Sequence, residues 1–203
     1  MSFAKTLLIT SLIVVPARHV AAATLSESLM QCSPQFFKAL YQQRSALKKV
    51  AQVETDKKDN AWVPVTDKES HVTWFSQPVR DGALTLTGYF EQQFDLGKMG
   101  KYYFWGVMIE QPLDTIKSAF PTANWQKNNN DYIANPQIKV DASSAWKPNV
   151  AAASGIAPVE GSAEKLVMLE TRNGKSRLSC SLQGSIDEAL LHQERPDIAA
   201  GNK

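Results

Sequence analysis

The sequence predicts an α+β fold: a single domain in which an antiparallel β-sheet built from hairpins carries an N-terminal helix and short helices packed on it. Residues 83–96 alternate apolar and polar side chains, which is typical of a strand with one face on a core. Asn173-Gly174 is a two-residue turn signal between the apolar segments 166–172 and 175–183. The apolar side chains of residues 34–51 recur at helical spacing. Together these observations decide the fold class.

Residues 1–23 have the parts of a secretory signal peptide. Lys5 precedes an apolar run of about ten residues, which is short for a membrane span, and Ala21-Ala22-Ala23 offers a cleavage site. The alternative is an uncleaved anchor, which the nearby Arg18 and His19 disfavour. We expect cleavage after Ala23 and a mature protein that is periplasmic or secreted.

The mature chain is electrically neutral. Two of the 22 lysines and arginines lie in the predicted signal peptide, so 20 basic residues face 20 acidic ones. A neutral chain has no general electrostatic attraction for nucleic acid or for anionic membranes. No second apolar run approaches transmembrane length. The composition, 43% hydrophobic, predicts one globular domain over residues 24–194.

The first half of this domain is predicted to alternate helix and strand. Leu25–Leu29 forms a short helix, and Ser33-Pro34 begins the long helix 34–51. A charged loop at 54–60 lacks the glycine of a calcium-binding loop, and strands are expected at 62–65 and 71–76. In the strand 83–96 the even-numbered residues, among them Leu84, Leu86, Phe90 and Phe94, are expected on one face. A central strand at 102–109, apolar on both faces, and a helix after Pro112 follow.

The second half contains a long irregular segment and a terminal hairpin. A strand over 133–140, broken by Pro136, precedes the loop 142–164, whose length is typical of a functional or disordered segment. The Asn173-Gly174 turn predicts that Thr171 pairs with Ser176, Leu169 with Leu178, Val167 with Cys180, and Glu170 with Arg177. Ser185 is expected to cap a last helix, and residues 195–203 are expected to form a loose tail.

The chain has two cysteines, Cys32 and Cys180. In an oxidising compartment such a pair is usually a disulfide, and Cys180 lies on the inward face of its strand. We therefore predict a Cys32–Cys180 bond. Two free thiols or a chemical role for Cys180 are the alternatives, and a zinc site would need more ligands than these cysteines with His71 and His192.

No catalytic motif with a specific spacing is present. Ser45-Ala-Leu-Lys48 matches Ser-x-x-Lys without the partner elements of that enzyme class, and Gly174-Lys-Ser176 lacks the first glycine of a phosphate loop. His71, Glu110 and Asp114 remain as members of a dispersed hydrolase site. We expect no metal and no cofactor.

Three aromatic side chains, Trp125, Tyr132 and Trp146, lie in polar sequence outside any periodic pattern. Large amphipathic rings of this kind are typical of binding hot spots, although they can equally fold back and cover the sheet. The leading hypothesis is a non-catalytic exported binding protein with these residues as anchors, an inhibitor or immunity protein against a cell-envelope-directed hydrolase. A periplasmic small-ligand carrier, with a cleft between the sheet and the loop 142–164, is the second hypothesis. A secreted hydrolase is the third.

Overall fold

The computed structural model describes residues 23–141, 143–152 and 157–201. The predicted signal peptide, apart from its last residue, lies outside these ranges. The chain forms a single α+β domain around an eight-stranded antiparallel sheet, as the sequence predicted. No helix in the described ranges is long and apolar enough to cross a membrane.

The N-terminal part is helical, in three pieces. Helices α1 (Leu25–Leu29), α2 (Gln35–Gln42) and α3 (Arg44–Leu47) precede a small hairpin of β1 (Glu54–Thr55) and β2 (Ala61–Trp62). The predicted continuous helix 34–51 is therefore wrong: Gln43 leaves the helical conformation, and the Arg44 guanidinium donates to the Tyr41 carbonyl. The periodicity itself was informative, because Phe36, Leu40 and Leu47 are all buried.

The large sheet contains the remaining strands, in the spatial order β3-β4-β5-β10-β9-β7-β6, with β8 paired to β7. They are β3 (Val72–Asp81), β4 (Leu84–Asp95), β5 (Lys101–Ile109), β6 (Gln126–Asn128), β7 (Asp131–Lys139), β8 (Lys147–Pro148), β9 (Ala163–Arg172) and β10 (Lys175–Gly184). Helix α4 (Leu113–Ala119) follows β5, and α5 (Glu188–Glu194) and α6 (Pro196–Gly201) end the described chain. The described residues of the predicted loop 142–164 are largely irregular, but they include β8 and the start of β9.

The register of the terminal hairpin is confirmed. Thr171 lies opposite Ser176, Leu169 opposite Leu178, Val167 opposite Cys180, and Glu170 opposite Arg177. The two-residue turn sets this register, because Asn173 and Gly174 both have positive φ, as the favoured hairpin turn requires.

The disulfide between Cys32 and Cys180 is also confirmed, with the two Cα atoms 5.4 Å apart. It joins the turn after α1 to the middle of β10, so the helices are covalently tied to the centre of the sheet.

A β-bulge in β4 overturns the predicted single core face of residues 83–96. Leu86 lies opposite Ile109 but Gly88 lies opposite Met108, so Thr87 is an extra residue in the ladder. Because side chains alternate along a strand, one extra residue moves every later side chain to the other face. Leu84 and Leu86 therefore face the helices, whereas Phe90 faces the opposite side.

Residues 196–201 of the predicted loose tail 195–203 are helical and are anchored through Arg195, so the prediction is wrong for this segment. Helix α6 begins at Pro196, and Arg195 is completely buried. Its guanidinium donates to both carboxylate oxygens of Asp197 and, at 2.8 Å, to Glu91 of β4. Burial by itself lowers the pKa of Arg195, but the carboxylates of Asp197 and Glu91 raise it by more. The net shift of the pKa is upward, so the guanidinium stays charged. The sequence predicted Arg195 and Asp197 in a loose tail, and it did not predict the contact between Arg195 and Glu91.

Candidate functional site

The predicted aromatic anchors lie on the helix-covered side of the sheet. Trp125, Tyr132 and Trp146 are half-buried and pack against the main apolar cluster. The Trp146 indole donates to Glu194 at 3.0 Å, and the Lys117 ammonium lies 3.8 Å from the Tyr132 ring centre. The Trp125 ring nitrogen is buried and has no hydrogen-bond partner among the described residues. The geometry thus agrees with rings that cover the sheet, the alternative to hot spots.

Of the residues of the dispersed hydrolase site, His71 lies far from Glu110. His71 precedes β3 and its carbonyl accepts from Glu91, which lies opposite Trp105. Glu110 follows Ile109, so it is five residues further along β5, roughly 17 Å at about 3.3 Å per residue. The Asp114 side chain is 90% exposed and pairs with Lys117. These three side chains do not form a common site. No group of three or more His, Cys, Asp or Glu in the described ranges could hold a metal ion.

None of the helices α1–α6 packs against one face of the large sheet. Their buried apolar side chains belong to the main cluster, and none of their residues belongs to the two smaller clusters on the other side. On that side Ala152, which follows β8, packs with Ile133 and Leu166. We call that side the open face. Its apolar side chains on β3, β4 and β5 are Val72, Trp74, Phe90, Phe94, Phe104 and Met108.

The bulge in β4 creates the aromatic part of the open face. Without the extra Thr87, Phe90 and Phe94 would join Leu84 and Leu86 in the main core. Trp74 is 47% exposed and Phe94 is 44% exposed, and Phe94 contacts Phe104 edge-on with ring centres 6.2 Å apart. Rings of this size, half in solvent, are unusual for a core and typical of contact surfaces.

The middle of the open face has small side chains. Gly106, Ser179 and Ser181 lie between the aromatic strands and the aliphatic side chains of β9. Gly106 is required there, because a Cβ at this position would lie 2.2 Å from the Leu178 carbonyl oxygen. The two serines are almost completely buried between the taller side chains on either side. The middle of the open face is therefore a strip of small side chains, lower than the apolar side chains on either side of it.

A charged cluster closes one end of this strip. Glu170 is fully buried and accepts from Arg177 and Arg172, and the Arg177 guanidinium stacks 3.8 Å from the centre of the Phe90 ring. Burial lowers the pKa of Arg177, and Glu170 offsets this effect only in part. Ionic and aromatic groups thus form one packed surface.

A cavity of about 250 Å³ lies at the other end, between the open face and the loop after β8. Phe104 forms one wall, Leu166 and Met168 form the other, and Ala152 and Ala157 of the loop lie across them. Glu164 and Gln183 line it with polar groups, together with Asn128 and Tyr102. The Asn149 side chain donates to Glu164, and its backbone N–H donates to the Pro136 carbonyl at 2.8 Å, which positions the loop.

Sequence reasoning missed the open face, and it predicted a cleft between the sheet and the loop 142–164 without naming the residues that line it. One signal was available: Gly88 within an otherwise regular strand pattern, since an isolated glycine in a strand often marks a bulge. The position of a buried carboxylate beneath the loop had no sequence signal. Comparisons of the chain with protein families, with curated proteins and with solved structures each found no match.

Proposed function

We propose that this chain is a non-catalytic binding protein that recognises another protein through the open face of its sheet. The observation that carries the proposal is the pair of half-exposed aromatic rings, Trp74 and Phe94, on a face that none of the helices α1–α6 covers. Aromatic side chains supply most of the energy in many protein interfaces, because each buries a large area at a small entropy cost.

The chemistry of the face favours a protein over a lipid surface. Arg177, Glu170 and Glu164 carry charge among its apolar side chains, and moving charged groups from water into contact with hydrocarbon is costly. The neutral mature chain also has no general attraction for anionic lipid. A protein partner can supply apolar and hydrogen-bonding groups together.

The proposal includes export and a role as an inhibitor or immunity protein against a cell-envelope-directed hydrolase. The signal peptide pattern and the Cys32–Cys180 bond support an oxidising compartment. A mature N-terminus at Thr24, measured by intact mass, tests export. A membrane-bound product that retains residues 1–23 would contradict it.

The binding test compares variants of the open face with a control on the helical side. The partner is first captured from envelope extract with the wild-type protein and purified. We expect Trp74→Ala and Phe94→Ala each to weaken its affinity about 30-fold, since a hot-spot truncation costs about 2 kcal/mol. Phe120→Ala, a half-buried ring on the helical side, is the matched control and should leave the affinity unchanged. Equal affinities for all three variants would contradict the proposed surface.

A small-ligand carrier is the second candidate function, and the cavity beside Glu164 is the observation that favours it. The cavity lies between the sheet and the long loop, where a carrier cleft was expected. Its two apolar walls and few polar groups are typical of small-molecule sites.

A further inference from the structure

Glu164 differs from the other buried acids of the described chain in what surrounds it. Glu170, Glu194 and Asp197 each pair with a lysine or an arginine. Asp81 accepts from the backbone N–H groups of Leu25 and Ser26, at the beginning of α1. Glu164 accepts only from two neutral amides and forms no ion pair within the described ranges.

The two amides hold the carboxylate but do not neutralise it. Asn149 donates to one oxygen and Gln183 to the other, and each oxygen can accept a second hydrogen bond. Glu164 is only 3% exposed, and burial raises the pKa of its carboxyl group. A buried carboxylate of this kind is stabilised by any cation that reaches it, because little water competes for the charge.

The cavity beside Glu164 has room for such a cation. Glu164 lines it beside Gln183, and the remaining space runs between Phe104 and the aliphatic pair Leu166 and Met168. A ligand that enters from the strip therefore meets an acceptor at one end and apolar walls along its length.

We propose that this cavity binds a primary ammonium group on an apolar stem, with the ammonium donating to the Glu164 carboxylate and the stem between Phe104 and Leu166. This inference rests on the small-ligand function stated above. The lysine side chain of a protein partner has the same chemistry as a free amine, so both sources of the ammonium are tested.

The experiment uses three probes with the mature wild-type protein: benzylamine, its neutral analogue benzyl alcohol, and N-acetyl-lysine methylamide. Binding is followed by chemical-shift titration in protein NMR spectra at pH 7. We expect benzylamine to bind, to bind more tightly than benzyl alcohol, and to lose about 10-fold or more in affinity in Glu164→Gln, since a hydrogen bond between charged groups contributes about 1.5–3 kcal/mol. Glu160→Gln, an exposed neighbour on the same loop, is the control and should bind like the wild type.

A second variant keeps the test independent of the fold of Glu164→Gln. Ala152→Phe places a ring in the cavity while Glu164 is retained, and it should also abolish benzylamine binding. Binding of N-acetyl-lysine methylamide more tightly than benzylamine assigns the site to a partner's lysine, and the reverse order assigns it to a free amine.

Two results would overturn the inference in distinguishable ways. Equal binding of benzylamine and benzyl alcohol, unchanged in Glu164→Gln, contradicts an ammonium site but leaves the cavity as a small-ligand site. If none of the probes shifts the resonances of Phe104, Leu166 or Met168, both the ammonium site and the small-ligand function are wrong.

Discussion

Replacement of Arg195 by alanine tests whether the C-terminal segment is part of the folded domain. The guanidinium is fully buried, and its centre lies 4.9 Å from the centre of the Trp105 ring. Its removal leaves the Asp197 carboxylate, only 4% exposed, without a cation, and leaves Glu91 with one partner fewer. Removing one partner of a buried ion pair typically costs about 3–5 kcal/mol, because the other charge stays buried and uncompensated.

The size of this effect makes it easy to measure. For a domain of this length 1 kcal/mol corresponds to about 2–4 °C in melting temperature, so we expect Arg195→Ala to melt about 10 °C lower. Urea unfolding, followed by tryptophan fluorescence, gives the free energy of unfolding directly. Arg80→Ala, which removes an exposed arginine of β3 that donates to the Gly82 carbonyl, is the control and should cost under about 1 kcal/mol.

Unchanged stability would contradict this prediction. If Arg195→Ala and a chain that ends at Glu194 both unfold like the wild type, the segment is the loose tail that the sequence suggested. The packing of Arg195 against β4 and β5 would then be wrong.

Three further predictions concern stability. Trp146→Ala should lower the free energy of unfolding by about 2–4 kcal/mol in urea titrations, because the half-buried indole packs on the core and donates to Glu194. An unchanged unfolding curve together with lost partner binding would show that Trp146 is a binding residue and not a core residue. Glu164→Gln should gain stability relative to the wild type as pH rises. The raised pKa means that the Glu164 carboxyl binds its proton more tightly in the folded protein than in the unfolded one. The protonated carboxyl therefore stabilises the wild type below the ordinary glutamate pKa, and this stabilisation is lost as pH rises through the raised value. Melting temperatures of both proteins between pH 4 and pH 8 check this, and parallel curves would refute it. The double variant Cys32→Ser with Cys180→Ser should lose about 5 kcal/mol in the chain-entropy treatment, since the bond closes a loop with a sequence separation of 148; a loss under about 1 kcal/mol in urea would show that the bond constrains the unfolded chain little.

Local rules predicted the parts of the fold that depend on local chemistry. The Asn173-Gly174 turn determines the pairing of β9 with β10, because its backbone conformation leaves one register. The disulfide was predictable because the sequence predicts export and its two cysteines have one possible partner each. In neither case does another group in the sequence compete for the pairing.

The open face was not predictable in the same way. Thr87 is one extra residue in a strand that otherwise alternates regularly, and that residue alone decides whether Phe90 and Phe94 enter the core or leave it. Arg195 is buried because of Glu91, which is 104 residues away in sequence. The sequence pattern identified the apolar and charged residues, but tertiary partners decided on which side of the sheet each one lies.

Site-specific photocrosslinking tests the central claim, recognition of a protein through the open face, most directly. A photoreactive phenylalanine analogue is placed at Phe94 on the open face in one variant and at Trp146 on the helical side in another. Both variants are irradiated in native cells, and crosslinked products are identified by mass spectrometry. The account predicts one defined protein crosslinked from position 94, lost when Trp74→Ala is added, and none from position 146. The same protein crosslinked from position 146 and not from position 94 would contradict it.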